Sequence, residues 1–220
     1  RPELEIVWVK VLRAEQAFEI HSTIPAEGRM RGDYSILSIE DKGADKGAIM
    51  KMQKRLYDRD SDLLCATVTQ TLFLRGDGGQ GGFGDIGPGL TAIPDGDPDD
   101  VLDIPTLPQI ALIYRLSGDL NPIHASPSVA RKAGFDRPIL HGLCTMGLAA
   151  RAIISRLCDG DPARLKAMEV RFSKPVFPGE TIRVEFFLKG DVVRFRCRSV
   201  ERDLVVLDRG SATIGGVAKN

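Results

Sequence analysis

The sequence predicts an α+β protein with two antiparallel sheets, each wrapped around a central helix. Three strand-like runs lie within residues 28–74, where residues such as Thr67, Val68 and Phe73 favour strands. Residues 142–157 are small or apolar on nearly all sides, which is typical of a buried helix. Further strand-like runs follow this helix, so the second half is predicted as a helix enclosed by a sheet. The first half follows a similar plan with a weaker helix signal.

The composition narrows the class of function. With 220 residues, of which 43% are hydrophobic, the chain can build one large or two small domains with a sizeable core. Lys and Arg number 30, as do Asp and Glu, so the formal net charge is zero. Nucleic-acid-binding domains usually carry a basic excess, and we therefore expect no nucleic-acid partner.

The sequence favours a cytoplasmic protein without membrane insertion. Apolar runs such as residues 143–150 are too short to cross a bilayer, and Arg151 interrupts the longer stretch. Arg1-Pro2-Glu3-Leu4 shows no signal peptide, and Val217-Ala218-Lys219-Asn220 differs from a peroxisomal Ser-Lys-Leu tail. A peroxisomal location stays open for a eukaryotic source. The four Cys residues form no CxxC pair and predict buried free thiols.

The first half is predicted as sheet up to a glycine-rich loop. Val11–Ile20 is predicted as a short helix, because Val11, Ala14 and Phe18 fall on one helical face. Prolines and acidic residues after the glycines indicate a linker. We therefore expect a first domain at residues 1–90, a linker at 91–108 and a second domain at 109–220. The predicted strands of the first half are 28–40, 48–58 and 63–74.

The glycine-rich loop contains a formal GxGxxG pattern at Gly76, Gly78 and Gly81. A dinucleotide-binding loop of this kind needs a helix directly after it. Asp85-Ile86-Gly87-Pro88-Gly89 follows instead and cannot begin a useful helix. We reject the dinucleotide interpretation and expect a mobile loop, or a close-packed crossing near a ligand.

The second half carries the helical elements. Residues 110–116 are mostly apolar and stop at Ser117-Gly118-Asp119, and residues 127–134 suit a short helix that ends at Gly134. A hairpin turn is predicted at Lys189-Gly190-Asp191. The predicted strands after the central helix are 166–172, 180–189, 191–200 and 204–214.

An acid, an amide and an imidazole lie within six residues, at Asp119, Asn121 and His124. These groups share and move protons near neutral pH. Positions i and i+5 do not share a helical face, so an irregular turn around Pro122 is needed to bring the acid and the imidazole together. The segment is a candidate for holding a catalytic water. An Asx-type turn with a solvent-facing His is the alternative.

His141 and Gly142 stand directly before the predicted central helix. Free backbone N–H groups and the positive end of the helix dipole gather at such a start, and Gly permits a ligand to approach closely. The Gly142 amide is therefore a candidate oxyanion hole for a carbonyl. The alternatives are a plain glycine at a helix start and a hydrogen-bonded structural His141.

Two other groups of residues are weighed against simpler interpretations. Asp119, His124 and His141 offer two imidazoles and one carboxylate, as some iron sites do, but their spacing is unlike the usual triads and we expect no metal. Arg171 and Lys174 are candidates for contacting phosphates. Exposed basic residues of a loop are the alternative for both.

The residues from Tyr114 to His124 resemble a family signature. They match the pattern Y-x-L-S-G-D-x-N-P-(L/I/V)-H of MaoC-like (R)-specific enoyl-CoA hydratases throughout, and Arg137-Pro138-Ile139-Leu140-His141-Gly142-Leu143 is also similar to that family. Residues 73–84, with Gln80-Gly81 lengthening the glycine run, resemble its noncatalytic half. The family usually has further residues before Arg1, so we expect the first half to lack part of its N-terminal wrapping.

The resemblance implies a double hot-dog fold and reversible syn addition of water to trans-2-enoyl-CoA, giving (3R)-3-hydroxyacyl-CoA. Catalytic roles carry over to Asp119 and His124, with Asn121 supporting the turn or the water, and the oxyanion role carries over to Gly142. The noncatalytic half is expected to shape an acyl tunnel.

The same resemblance sets the expected partners. An acyl-CoA substrate and a homodimer are expected, with no cofactor beyond the coenzyme A of the substrate, and His141, Arg171 and Lys174 are candidate substrate-binding residues. The alternatives are a (3R)-hydroxyacyl-thioester dehydratase acting on a carrier protein and a noncatalytic acyl-CoA-binding subunit. A hot-dog thioesterase is disfavoured because the matched cluster is a hydratase signature.

Overall fold

The computed structural model describes residue 6 and residues 11–188 and 192–215. The chain divides into two units, Arg1–Leu90 with Lys166–Arg171, and Thr91–Leu165 with Phe172–Asn220. The strands in chain order are β1 (Val11–Ile20), β2 (Met30–Asp41), β3 (Ala48–Asp58), β4 (Leu64–Leu74), β5 (Asp100–Pro105), β6 (Leu165–Phe172), β7 (Thr181–Phe187), β8 (Val193–Ser199) and β9 (Leu204–Ile214). The helices are α1 (Ile110–Tyr114), α2 (Pro127–Lys132) and α3 (Gly142–Leu157), and short 3-10 turns lie at Arg115–Ser117, Pro122–His124 and Pro162–Arg164.

The first unit contains an antiparallel sheet in the order β2-β3-β4-β1-β6. Its core is formed by Ala48, Met50, Leu72 and Leu74. A cavity of about 560 Å³ is lined by Ala48, Met50 and Leu74 of this core and by the glycine-rich loop, which contributes the polar Asp77 and Gln80. The described residues of this unit form strands and loops and contain no helix. A central helix was expected in each half, and among the described residues it is seen in the second unit.

The helix predicted over Val11–Ile20 is wrong, because this segment is strand β1. It pairs antiparallel with β4 on one side and with β6 on the other. Backbone N–H and C=O groups on both edges are thereby satisfied, and this tertiary pairing outweighs the helical spacing of Val11, Ala14 and Phe18.

The glycine-rich loop crosses β2 at close range. A side chain at Gly78 would collide with the Gly43 carbonyl oxygen, and one at Gly82 would collide with that of Ile39. The Asp41 carboxylate accepts hydrogen bonds from loop amides, at 2.8 Å from the Gly79 nitrogen. These amides lower the pKa of Asp41. No helix lies between the loop and β5 in the described residues, and the glycines allow a close-packed crossing, one of the two outcomes expected for this loop.

The second unit surrounds α3 with the sheet β9-β8-β7-β5. The helix contacts β7 and β9 and has the bounds predicted from the sequence. Its burial is less complete than predicted, because Gly147, Arg151 and Ser155 form an exposed stripe at a spacing of four residues. The buried residues of α3 are Cys144, Thr145, Met146, Ala149, Ala152 and Ile153.

The linker expected at residues 91–108 contains strand β5, which pairs with β7. Its prolines and acidic residues suit the edge of a sheet, where an unpaired side faces solvent. Asp103 accepts two hydrogen bonds from the Arg183 guanidinium, both 2.8 Å long. The prolines and acidic residues that predicted a linker therefore belong to an edge strand, where such residues prevent pairing with another chain.

The α+β class is confirmed, with antiparallel sheets in both units. All four Cys residues are free and buried, as predicted. None of the described helices has the length and apolarity needed to span a membrane. The turn predicted at Lys189-Gly190-Asp191 and the terminal segments Arg1-Pro2-Glu3-Leu4 and Val217-Ala218-Lys219-Asn220 lie outside the described residues.

Candidate active site

Two successive side-chain-capped turns shape the segment between α1 and α2. Gly118 ends the first 3-10 turn in the left-handed region, with φ of 109°. The Asp119 carboxylate then accepts a hydrogen bond from the Asn121 backbone nitrogen at 3.2 Å. The Asn121 side-chain oxygen accepts one from the Ile123 nitrogen at 3.1 Å and starts a 3-10 turn that ends at His124. Asn121 thus supports the turn, and its side-chain amide oxygen is occupied by the hydrogen bond from Ile123.

His124 is held by a backbone carbonyl. Its Nδ1 lies 2.8 Å from the Ile139 oxygen. A carbonyl oxygen only accepts, so Nδ1 carries the proton, and in the neutral ring Nε2 keeps a lone pair. Burial lowers the pKa of His124, and His141 acts in the same direction, while the Ile139 hydrogen bond and Asp119 oppose the shift. The ring is therefore neutral near pH 7 and presents an acceptor at Nε2.

His141 lies between other rings at the start of α3. It is 1% exposed, and its ring stacks on His124 with centroids 3.7 Å apart and an interplanar angle of 27°. The Tyr114 ring lies 4.8 Å from it, centroid to centroid. The His141 Nε2 is 3.1 Å from the Asp119 backbone oxygen. This burial argues against the substrate-binding role expected for His141, because its ring is enclosed by protein.

The structure brings together the side chains of Asp119, His124 and His141. Their spacing in the sequence did not predict this cluster. One ligand-type atom from each lies within 4.8 Å of the others. The lone pairs of an imidazole lie in the plane of its ring, so two nearly parallel stacked rings do not aim at one common ion. One nitrogen of each ring is also engaged with a backbone carbonyl. The arrangement therefore suits a shared water better than a metal.

Gly142 is the first residue of α3, and its backbone is exposed. N–H groups of a first helical turn have no acceptor within the helix, and the positive end of the dipole lies there. A side chain at Gly142 would lie 3.0 Å from two carbons of the Phe172 ring, tighter than an ordinary contact. Glycine thus keeps this amide open to a ligand oxygen while Phe172 packs beside it.

The two basic candidates have different surroundings. Arg171 donates two hydrogen bonds to one Glu15 oxygen, at 3.0 and 2.7 Å, within the first unit. Lys174 is exposed, and its side chain has no hydrogen bond or ion pair among the described residues. The ion pair of Arg171 favours a structural role, whereas Lys174 is accessible to an anionic group.

Sequence reasoning missed three contributions to this site. They are the Ile139 carbonyl that holds His124, the Tyr114 ring beside His141, and the Phe172 ring beside Gly142. A backbone acceptor leaves no residue-type signal, and the ring contacts join segments that are distant in sequence. Tyr114 alone had a signal, because it is the first residue of the matched signature.

Family models match both halves of the chain. The model described as MaoC like domain matches residues 90–209, and the model described as MFE-2 hydratase 2 N-terminal domain matches residues 1–76. The first match alone covers more than half of the chain. The chain belongs to the MaoC-like family. The resemblance read from the signature segment is therefore confirmed.

Named relatives of this MaoC-like chain act on thioesters, according to their names. It is 44% identical over 173 residues to 3-hydroxyacyl-thioester dehydratase Y of Mycobacterium tuberculosis, covering 78% of the chain and 60% of that protein. It is 40% identical over 220 residues to peroxisomal enoyl-CoA hydratase 2 of Arabidopsis thaliana, covering 96% of the chain and 70% of that protein. The chain thus spans 60 to 70% of the length of these two relatives.

Solved structures agree with the fold. The crystal structure of a MaoC-like dehydratase from Phytophthora capsici matches with a TM-score of 0.89 at 38% identity, over 95% of this chain and 73% of that one. A Mycobacterium tuberculosis protein described as having a double hotdog fold matches with a TM-score of 0.60 at 16% identity, over 92% of this chain and 74% of that one. The second likeness bears on the fold alone. The expected double hot-dog fold is confirmed.

His124 is expected to titrate below the ordinary imidazole value of about 6.5, because burial disfavours its charged form. Unfolding removes this burial, so the unfolded chain binds the proton more readily. The contribution of neutral His124 to the free energy of unfolding is complete above the pKa of His124 in the unfolded chain. It is lost as the pH falls through the lower pKa of the folded state. NMR titration of the three His rings, with His124 assigned from the signal that disappears in His124→Gln, measures this pKa. A value at or above 6.5 would contradict the interpretation.

Proposed function

We propose that the chain adds water reversibly, in the syn sense, to a trans-2-enoyl-CoA to give the (3R)-3-hydroxyacyl-CoA. The observation that carries this proposal is the pairing of the Asp119 carboxylate with a neutral His124 whose Nδ1 is occupied by the Ile139 carbonyl. Family membership and the names of the relatives support the same reaction and an acyl-CoA substrate.

The two acceptors suit a single nucleophilic water. A water has two O–H donors, and the ionised Asp119 and the Nε2 lone pair of His124 each accept one of them. The lone pairs of the water oxygen then remain free to attack the β-carbon of the enoyl group. As the new C–O bond forms, the pair takes one proton from the water and returns one to the α-carbon. The hydroxyl and the proton add to the same face of the double bond because one pair of residues, on one side of the substrate, delivers them.

The Gly142 amide is placed to stabilise the charge that this attack creates. Negative charge moves onto the thioester oxygen as the β-carbon accepts the water. An N–H at a helix start, aimed at that oxygen, is worth roughly 3–4 kcal/mol in comparable oxyanion holes. The exposed Gly142 backbone beside Phe172 supports this assignment.

Several further properties belong to the proposal. We propose that the reaction uses no metal or added cofactor, that the enzyme is cytoplasmic, and that it works as a homodimer. The acyl tunnel in the first half stays a prediction, supported by the family resemblance and by the cavity of that unit, one side of which is apolar. Lys174 is the better of the two basic candidates for an anionic part of the substrate, because Arg171 is paired with Glu15.

A carrier-protein thioester is the second candidate substrate. The relative with 44% identity is named a 3-hydroxyacyl-thioester dehydratase, and dehydration is the reverse of the proposed reaction. Both substrates present the same enoyl thioester to Asp119 and His124 and differ only in the group attached to sulphur. Comparison of kcat/KM for crotonyl-CoA and a crotonyl carrier protein therefore separates them.

Asp119→Asn and His124→Ala are each expected to lower kcat for crotonyl-CoA by about 10³-fold, because each removes one acceptor of the water and a proton-transfer group. Loss of enoyl absorbance measures the rate, and circular dichroism checks that the fold survives. Asp136→Asn, an exposed carboxylate of a nearby loop, serves as the control and keeps the normal rate. Hydration at the normal rate by both site variants would refute the mechanism, and an (S) product from the unmodified chain would refute the reaction.

Gly142→Ala is expected to lower kcat by roughly 10- to 100-fold with a smaller change in KM, because crowding against Phe172 displaces the helix start and its amide. Gly147→Ala is the matched control, since that glycine lies five residues further along α3 and faces open space. The control keeps the normal kcat. Equal rates for both variants and the unmodified chain would contradict the predicted displacement of the helix start by crowding against Phe172.

A further inference from the structure

His141 contacts both proposed catalytic residues while remaining buried itself. Its Nε2 lies 3.1 Å from the Asp119 backbone oxygen, and its ring stacks on His124 at 3.7 Å. We propose that His141 is a positioning residue for the hydration reaction, whose Nε2–H holds the Asp119 backbone and whose ring face holds the His124 imidazole. This inference rests on the proposed function and assigns a role to a residue that does not touch the substrate.

The hydrogen bond fixes the catalytic turn to the helix. Asp119 is exposed and follows Gly118, whose φ of 109° marks a sharp change in chain direction. The Asp119 side chain caps Asn121 within the same turn, so this contact does not tie the turn to the rest of the unit. The bond from His141 reaches it from the residue that precedes α3. This bond holds the Asp119 backbone itself, whereas the other bonds from this segment to the rest of the unit run from Ile123 and His124 to Ile139.

The stacked ring fixes the direction of the acceptor on His124. The hydrogen bond from Nδ1 to the Ile139 carbonyl holds one edge of the imidazole but leaves rotation about that bond. Contact with the His141 ring at an interplanar angle of 27° removes this freedom. Tyr114 in turn contacts His141, with centroids 4.8 Å apart. The two constraints together set where Nε2 points, which is the atom that would accept from the water.

His141 is suited to act as a single donor. Its Nε2 carries a proton because its partner is a carbonyl oxygen. Its Nδ1 is buried without a hydrogen-bond partner among the described residues, so a second proton there would have no acceptor. Among the described residues, the titratable groups that act on His124 are Asp119 and His141, and removal of His141 uncovers one face of the His124 ring.

Two variants separate the ring from the donor. His141→Phe keeps a ring face and loses the hydrogen bond, whereas His141→Gln keeps an amide donor near the Nε2 position and loses the ring. With crotonyl-CoA we expect kcat to fall about 10-fold in the Phe variant and about 100-fold in the Gln variant, with KM changing less than about twofold. Thr145→Val is the control, because Thr145 is equally buried on α3, its hydroxyl has no hydrogen-bond partner among the described residues, and the change conserves shape.

A second readout does not depend on activity. NMR titration should show a higher pKa for His124 in the Gln variant, because loss of the stacked ring admits water to an imidazole whose pKa is lowered mainly by burial. Thr145→Val should leave the His124 titration unchanged. A merely structural role would lower the melting temperature and the amount of active enzyme without moving this titration.

The outcomes are distinct. Normal kcat and a normal His124 titration in both His141 variants would overturn the positioning role. Reduced kcat that follows only the loss of folded protein, with the titration unmoved, would overturn it as well. If the unmodified chain fails to hydrate any enoyl thioester, the proposed function falls, and the His124 titration in the variants still decides whether His141 positions that ring.

Discussion

The hydrogen bond between the His124 ring and the Ile139 carbonyl is the constraint on which the proposed chemistry depends. At 2.8 Å it assigns the proton to Nδ1 and leaves Nε2 as the acceptor. The partial burial of the ring lowers its pKa, which keeps that acceptor available near neutral pH. A ring of the other tautomer, or a charged ring, would donate to the water at the same position and could not take a proton from it.

Backbone breaks place the other groups around this bond. Gly118 ends the 3-10 turn that follows α1, and Pro122 starts the 3-10 turn that ends at His124. Gly142 then begins α3 with His141 as the residue before it. The acid, the imidazole and the helix-start amide thus come from three short segments of one unit. The acid and the imidazole lie on irregular turns, because positions i and i+5 of a regular helix do not share a face, and the amide belongs to the first residue of α3.

The sequence predicted the parts of the site that have a local signal. The bounds of α3, the breakers at Gly118 and Pro122, and the signature from Tyr114 to His124 depend on neighbours in the chain, and the structure agrees with them. The stacking of His141 on His124 joins residues that are 17 positions apart, and no residue pattern reports it.

The errors in the predicted fold have the same physical origin. The segment Val11–Ile20 has helical spacing but becomes β1 because strands on both sides pair with it. The prolines and acids near Asp100–Pro105 looked like a linker because edge strands use the same residue types. In both segments long-range pairing decides the structure, and local propensity gives the wrong answer.

The central claim is that a water held by Asp119 and His124 adds to one face of the enoyl group, with the hydroxyl and the new α-proton on the same side. The stereochemistry of addition tests this claim most directly. Crotonyl-CoA would be hydrated in D₂O to low conversion, and the relative configuration at the α- and β-carbons would be read from the NMR coupling between their protons. We predict a single diastereomer with deuterium at the α-carbon on the same face as the new hydroxyl. Addition to opposite faces, or a mixture of the two diastereomers, would contradict the account.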